Sequence, residues 1–253
     1  MSWYVMPASY TAHIQPTLTN GTETTGYPVG NARTFPVNQK AKVTAGGSGT
    51  DIDFDRFGTN GQALNAIVIV GNNISTSTFS VSSDTVSNFA SPTTLVAANS
   101  DYASDIFRVF AVTTTEQYLR YHHGATSGTY QFGFLSFGNA YTMTGPLIQG
   151  RGSDALPGNV ERRTFKWRKI TTTNAEAIVA DAAKNYIWDS TNALLDGIGG
   201  GGGANPIAVI DDGGAAGSET VYYGRGRVSQ RHWAANYAEV TVDMTLIRVG
   251  DFA

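Results

Sequence analysis

The chain contains no cysteine. Disulfides, thiolate chemistry and cysteine-ligated zinc are therefore excluded. Charge is also scarce: 15% of the 253 residues are charged, and 17 basic against 20 acidic groups leave a net charge of −3. That balance gives no electrostatic footing for nucleic acid, and none is expected as a partner. No stretch approaches the roughly 20 apolar residues needed to span a bilayer, so no membrane span is expected. The opening MSWYVMPASYTAH has neither the basic start nor the apolar core of a signal peptide. The expectation is a soluble protein made in the cytoplasm.

Catalytic signatures are missing too. There is no Gly-x-Ser-x-Gly elbow and no HExxH. His122-His123 is the sole histidine pair, and neighbours on a strand point to opposite faces, so the two cannot share a metal. Asp51, Asp53 and Asp55 alternate but do not make a calcium loop, because Arg56 and Gln62 stand where an EF-hand needs Gly and Glu. They read as the wet face of a strand. No enzyme activity, cofactor or metal is expected.

What the sequence has in quantity is Gly, Ser, Thr, Asn and aromatics, the profile of short strands joined by tight turns. Leu64–Val70 is rich in β-branched residues and ends at Gly71-Asn72-Asn73. It predicts a strand buried on both faces. Period-2 alternation marks further strands at Asp51–Asp55, Thr78–Ser82, Ile106–Val112, Glu116–His123 and Tyr130–Phe137, with another possible at the N-terminus around Trp3–Met6. This pattern assigns Ile52, Phe54, Ile67, Ile69, Phe79, Val81, Val109, Phe132 and Phe134 to a sandwich core. Thr17–Gly26 and Ser87–Asn99 read as turn or loop. Thr144–Val160, with two prolines and four glycines, reads as a boundary.

Beyond it the character changes. Arg162–Ile170 alternates Phe165 and Trp167 with Lys166 and Arg168. Thr173–Trp188 has apolar residues at helical spacing, with Thr173 or Asn174 as cap, and predicts one long helix. Gly197–Gly203 lacks the following Lys-Ser/Thr of a phosphate loop and reads as a flexible connection. Val221–Val228 and Tyr237–Val249 predict two last strands.

The succession Tyr27-Pro28-Val29-Gly30-Asn31, Asp51-Ile52-Asp53-Phe54, Ala66–Asn73, Phe107-Arg108-Val109 and Phe132–Gly138 resembles the discoidin-like (galactose-binding-like) β-sandwich of structural proteins at the tail tip of tailed bacteriophages. The resemblance covers roughly residues 10–145. It implies a mainly β chain: a discoidin-like antiparallel sandwich over 1–145, a linker over 146–160, and a smaller β-rich α+β segment with one long helix over 161–253. It further implies a virion component of the tail tip or baseplate that forms a ring of three- or sixfold symmetry. Such a subunit would contact the tail tube and tail-tip hub. Arg162, Arg163, Trp167, Arg168, Arg225, Arg227, Arg231 and Trp233 are the expected contact residues, since interfaces favour arginine and aromatic anchors. The alternative is a carbohydrate-binding module that attaches to host glycans, for which Tyr102, Tyr141 and Trp233 are the candidate aromatics.

Overall fold

The run Leu64–Val70 is a strand with a core on each side. Leu64, Ile67 and Ile69 enter one core, and Ala66 and Val68 enter another. The computed structural model describes residues 2–7, 14–33, 40–56, 63–73, 77–100, 105–150, 153–156, 160–183, 186–188, 194–196, 206–214 and 217–247. Its strands are β1 (Trp3–Met6), β2 (Thr17–Asn20), β3 (Thr22–Glu23), β4 (Ala41–Thr44), β5 (Thr50–Asp55), β6 (Leu64–Val70), β7 (Phe79–Asp84), β8 (Thr93–Asn99), β9 (Ile106–Thr114), β10 (Tyr118–His123), β11 (Thr129–Phe132) and β12 (Phe134–Gly138). They continue through β13 (Tyr141–Met143), β14 (Leu147–Gln149), β15 (Ser153–Leu156) and β16 (Val160–Thr171) to the helix α1 (Thr172–Ala183). After it come β17 (Tyr186–Trp188), β18 (Leu194–Asp196), β19 (Pro206–Asp211), β20 (Thr220–Ala234) and β21 (Tyr237–Ile247).

Three of the sheets stack in layers, and β11-β4-β3 and β17-β18 form two smaller antiparallel sheets. An outer sheet, β2-β5-β10-β7-β8, faces an inner sheet, β12-β6-β9, and both are antiparallel throughout. Ile52, Phe54, Ile67, Ile69, Phe79, Val81, Tyr121 and Phe137 fill the space between them. The third layer is an antiparallel sheet ordered β13-β1-β19-β20-β21-β16-β14. Ala66, Val68, Phe107 and Phe134 on the back of the inner sheet meet Met6, Ala208, Ile210, Val221 and Tyr223 of this third sheet. β19 is therefore buried on both faces, as β6 is, and Ile207 and Val209 look into a third core. Each such side chain contributes about 1.5–3 kcal/mol on burial. The fold class is as expected: mainly β, an antiparallel sandwich followed by a β-rich segment with one helix.

The sheets do not respect the expected boundaries. β1 and β13, inside residues 1–145, pair with each other, and β1 also pairs with β19 in the third sheet. β14 and β15, inside the expected linker, pair with β16. Edge strands need few apolar residues, so their polar composition reads as loop. The same holds for β2, β3 and β8, expected as turn or loop. The helix ends at Ala183, short of Trp188, and Tyr186–Trp188 pairs with β18 instead. Its cap is Thr171, whose hydroxyl accepts from Asn174 N at 3.4 Å, rather than Thr173 or Asn174. Ala175 and Ile178 are the apolar residues that it buries.

Two core assignments also change. Val109 is 48% exposed, beside the register shift between β6 and β9. Phe134 is buried, but in the core behind the inner sheet, whereas Phe132 is in the sandwich. The chain switches sheets at Gly133, whose N–H donates to Val70 O at 3.0 Å. A change of sheet breaks the parity that would have kept both rings on one face.

Candidate functional site

The third sheet curls. β1 and β16 are four places apart in its order. In a flat sheet, strands about 4.8 Å apart would put their side chains about 19 Å from each other. Instead, the Trp3 ring lies 5.9 Å from Phe165 and 6.2 Å from Trp167, centroid to centroid. The edge strands β13 and β14 are joined by Thr144, Gly145 and Pro146, which brings the two edges together. Gly145 is required there: a Cβ would sit 1.7 Å from Arg168 O, while Arg168 N donates to Pro146 O at 3.2 Å.

At the mouth of the curled sheet is an open cavity of about 480 Å³. Its walls are Trp3 from β1, Leu147, Ile148 and Gln149 from β14 with Gly150 after it, Asp211 from β19 and Tyr222 from β20. The Trp3 and Tyr222 rings are 6.4 Å apart and within 14° of parallel. The Arg163 guanidinium covers Tyr222 at 4.5 Å and is itself ion-paired to Glu161. Arginine over a ring fixes the plane of that ring. The Asp211 carboxylate accepts from Gly213 N at 3.1 Å, which anchors it at the end of its strand. The cavity thus joins two aromatic surfaces to one carboxylate and one carboxamide, in the size range of ligand clefts, about 300–1,000 Å³.

The expected contact residues are placed unevenly. Trp167 is wholly buried in the core of the curled sheet and is not available to a neighbour, because the curl turns its face inward. Arg163 is half-buried over the Tyr222 ring. Arg162, Arg168, Arg225, Arg227, Arg231 and Trp233 are exposed. The register places Arg162, Thr245 and Arg225 side by side on β16, β21 and β20, and brings Arg227 beside Asp243 and Arg231 beside Glu239. Arg168 and Lys166 both reach Glu239, at 2.9 and 3.6 Å. Those contacts hold the Glu239 carboxyl below its usual range.

Of the candidate aromatics, Tyr141 is half-buried and donates its hydroxyl to Asp181 at 2.8 Å. Trp233 is 47% exposed near the end of the β20–β21 hairpin. Tyr102 lies outside the described residues, as does the Gly197–Gly203 run. His122 and His123 point to opposite faces, with His122 Nδ1 2.7 Å from Asp51 and His123 buried. The aspartate row is not the bare wet face expected. Asp53 receives Arg120 through two 2.7 Å bonds and the Thr19 hydroxyl at 2.9 Å, and Asp55 receives Gln117 at 2.9 Å.

Sequence reasoning missed Trp3, Gln149, Asp211 and Tyr222 as a group. They are scattered over more than 200 positions and meet only because both edges of one sheet converge. The one local signal was the aromatic pair Tyr222-Tyr223 within a strand.

No family model and no curated sequence matches the chain. Among solved structures it is similar to chitosan-binding module 1 from a chitosanase/glucanase of Paenibacillus sp. IK-5, at 13% identity, over 52% of this chain and 98% of that one, with a TM-score of 0.44. It is also similar to the family 32 carbohydrate-binding module of C. perfringens NanJ in complex with galactose, at 15% identity, over 54% and 99%, with a TM-score of 0.40. Module 2 of the Paenibacillus enzyme, in complex with chitotriose, matches at 13% identity, over 51% and 99%, with a TM-score of 0.42.

Proposed function

We propose that the chain is a non-catalytic glycan-binding protein whose sugar site is the cavity between Trp3 and Tyr222. The observation that carries this reading is the pairing of near-parallel aromatic rings with Asp211 and Gln149 around one open cavity. A pyranose has an apolar C–H face, which packs on an aromatic ring, and an edge of hydroxyls, which need acceptors and donors. The rings supply the first, and the carboxylate and carboxamide supply the second. Binding of a glycan array by the purified chain tests it. Asp211→Ala and Tyr222→Ala should each weaken the best array ligand tenfold or more while circular dichroism stays unchanged. An array without a hit at millimolar glycan, or a hit indifferent to both substitutions, would sink the reading.

A second reading is a subunit of a bacteriophage tail tip, located in the virion and assembled as a closed ring of three- or sixfold symmetry with the tail tube and hub as neighbours. The observation favouring it, besides the sequence resemblance, is the long β20–β21 hairpin, which presents Arg227, Arg231, Trp233 and Tyr237 to solvent. Mass spectrometry of purified virions tests this reading. Absence of the chain from intact particles refutes it.

A further inference from the structure

The two faces of the curled sheet differ in charge. Its inner face holds the core that Phe165, Val228, Val240 and Val242 fill. Alternation turns the residues between these to the outer face of β16, β21 and β20, and the register lays them out in rows. Arg162, Thr245 and Arg225 stand abreast, then Thr164, Asp243 and Arg227, then Lys166, Thr241 and Ser229. One step further on, Arg231 stands opposite Glu239, which Arg168 reaches from β16 at 2.9 Å. Arg162, Arg168, Arg225, Arg227 and Arg231 are exposed.

Six basic residues thus share this face with two acids, Glu239 and Asp243, and Asp154 of β15 stands opposite Arg162 at the margin. With all three acids counted, the face keeps three positive charges in excess. The whole chain has a net charge of −3, so the rest of it carries −6. The acids are also engaged. Glu239 takes both Arg168 and Lys166, and Asp243 accepts from the Thr164 hydroxyl at 2.6 Å. Among the described residues no ion pair is seen for Arg227 or Arg231. Solubility asks for charges of both signs interspersed, and gives no reason for sorting them. Basic charge gathered on one face of an acidic chain sets up a local field that attracts anions.

We infer that this face binds an acidic polysaccharide, one whose sugars carry sulfate or carboxylate groups. The face is the outside of a curl, so it suits an extended polymer held at many points rather than a small ligand enclosed on several sides. Arg162 and Arg225 are two strands apart, about 10 Å, and Arg225 and Arg227 are about 7 Å apart along one strand. Anionic groups spaced along a polymer can therefore meet several guanidinium groups at once, each taking a sulfate or carboxylate through paired N–H donors. The other residues of the rows are Thr164, Ser229, Thr241 and Thr245, whose hydroxyls can donate to and accept from those of a sugar. An acidic protein fits less well, because no apolar residue stands in these rows to form the dry centre of an interface. Single-stranded nucleic acid fits less well, because the rows offer no ring on which a base could stack. The face is on the opposite side of the sheet from Tyr222, and the inference holds whether or not the cavity takes a sugar.

The probes are dextran sulfate and polygalacturonate, with unmodified dextran as the neutral control, titrated against the full chain by calorimetry. The acidic polymers should bind more tightly than dextran and lose about tenfold or more in affinity between about 50 and 300 mM salt, as exposed charges are screened. Binding of only one of the two supports the proposal and fixes the group as sulfate or carboxylate. Arg162→Gln with Arg225→Gln and Arg227→Gln should weaken the acidic polymer by about tenfold or more. Asp243→Asn removes a negative charge from the middle of the face and should tighten binding about threefold. That single variant decides the matter if the triple one fails to fold. Three results overturn the proposal: no acidic polymer binding more tightly than dextran, binding that these variants leave unaltered, or tighter binding of duplex DNA or polyglutamate than of either acidic polysaccharide.

Discussion

The Arg108 guanidinium donates to the Glu219 carboxylate across the seam between the inner sheet of the sandwich and the curled sheet. Both side chains are largely shielded, at 13% and 6% exposure. Close by, the Asp105 carboxylate accepts from the backbone of Gly71 and of Val221, one from each side of the seam. The polar contacts flank an apolar patch of Val68, Phe107, Phe134 and Tyr223. The sandwich is thus fixed to the sheet that bears the cavity and the long hairpin, and the two cannot swing independently without exposing that patch.

Removing one member of this ion pair strands the other. Arg108→Ala should cost about 3 kcal/mol, the scale for an orphaned buried charge. The double variant with Glu219→Ala should cost less than the sum of the single losses. Denaturant titration of the four proteins measures the coupling. Full additivity would show that the two charges do not sense each other.

Strand β6 offers a sharper contrast. Ile67→Ala removes a fully buried side chain and should cost about 2–5 kcal/mol. Val109→Ala, on the neighbouring strand but half-exposed, should stay within about 0.5 kcal/mol of the parent. Equal losses at the two positions would mean that the side chains are placed otherwise.

How far such contrasts were visible in the sequence depended on the strand. β5 and β7 are central, and their apolar residues alternate against a continuous core, so Ile52 and Val81 were legible from period; β6, with a core on each side, was legible as an unbroken apolar run ended by Gly71-Asn72-Asn73. Phe134 was not, because the chain changes sheet at Gly133 and period says nothing about which sheet a strand joins. β20 was legible only to Val228: beyond it both faces are wet, and a wet strand has the composition of a loop. The cavity was invisible for a further reason. It depends on the curl that brings Trp3 beside Phe165, and curl is set by pairing order rather than by any local run.

Acid should act on the outer sheet through Asp51. Burial pulls its carboxyl up, but the hydrogen bond with His122 and the charge of Arg120 outweigh this, and the net shift is downward from 3.8. A carboxylate held lower in the folded state stabilises it above the unfolded value, and that contribution is lost as pH falls from about 3.8 through the folded value. Asp51→Asn should therefore flatten the stability profile below that pH while lowering stability at neutral pH. Thermal melts between pH 2 and 7 read both effects. A variant as acid-sensitive as the parent would assign the effect to other carboxylates.

The last prediction concerns Gly226, just past the last residue of β20 that pairs with β19. A Cβ built there would lie 2.3 Å from Asp243 O and 2.8 Å from two atoms of Met244. Backbone and buried side chain both block it, so β20 or β21 must shift for any larger residue to fit. Met244 is packed in the core of the curled sheet, and that core resists displacement. Gly226→Ala should cost about 1–3 kcal/mol by overpacking. It should also loosen pairing between Arg227 and Asp243, the first step of the projecting hairpin. Hydrogen exchange would then speed up in the hairpin beyond residue 226 more than in β5, whose strand neighbours β2 and β10 lie in the outer sheet. An alanine variant as stable as the parent, with hairpin exchange unchanged, would show that the two strands are not as close at this point as the register requires.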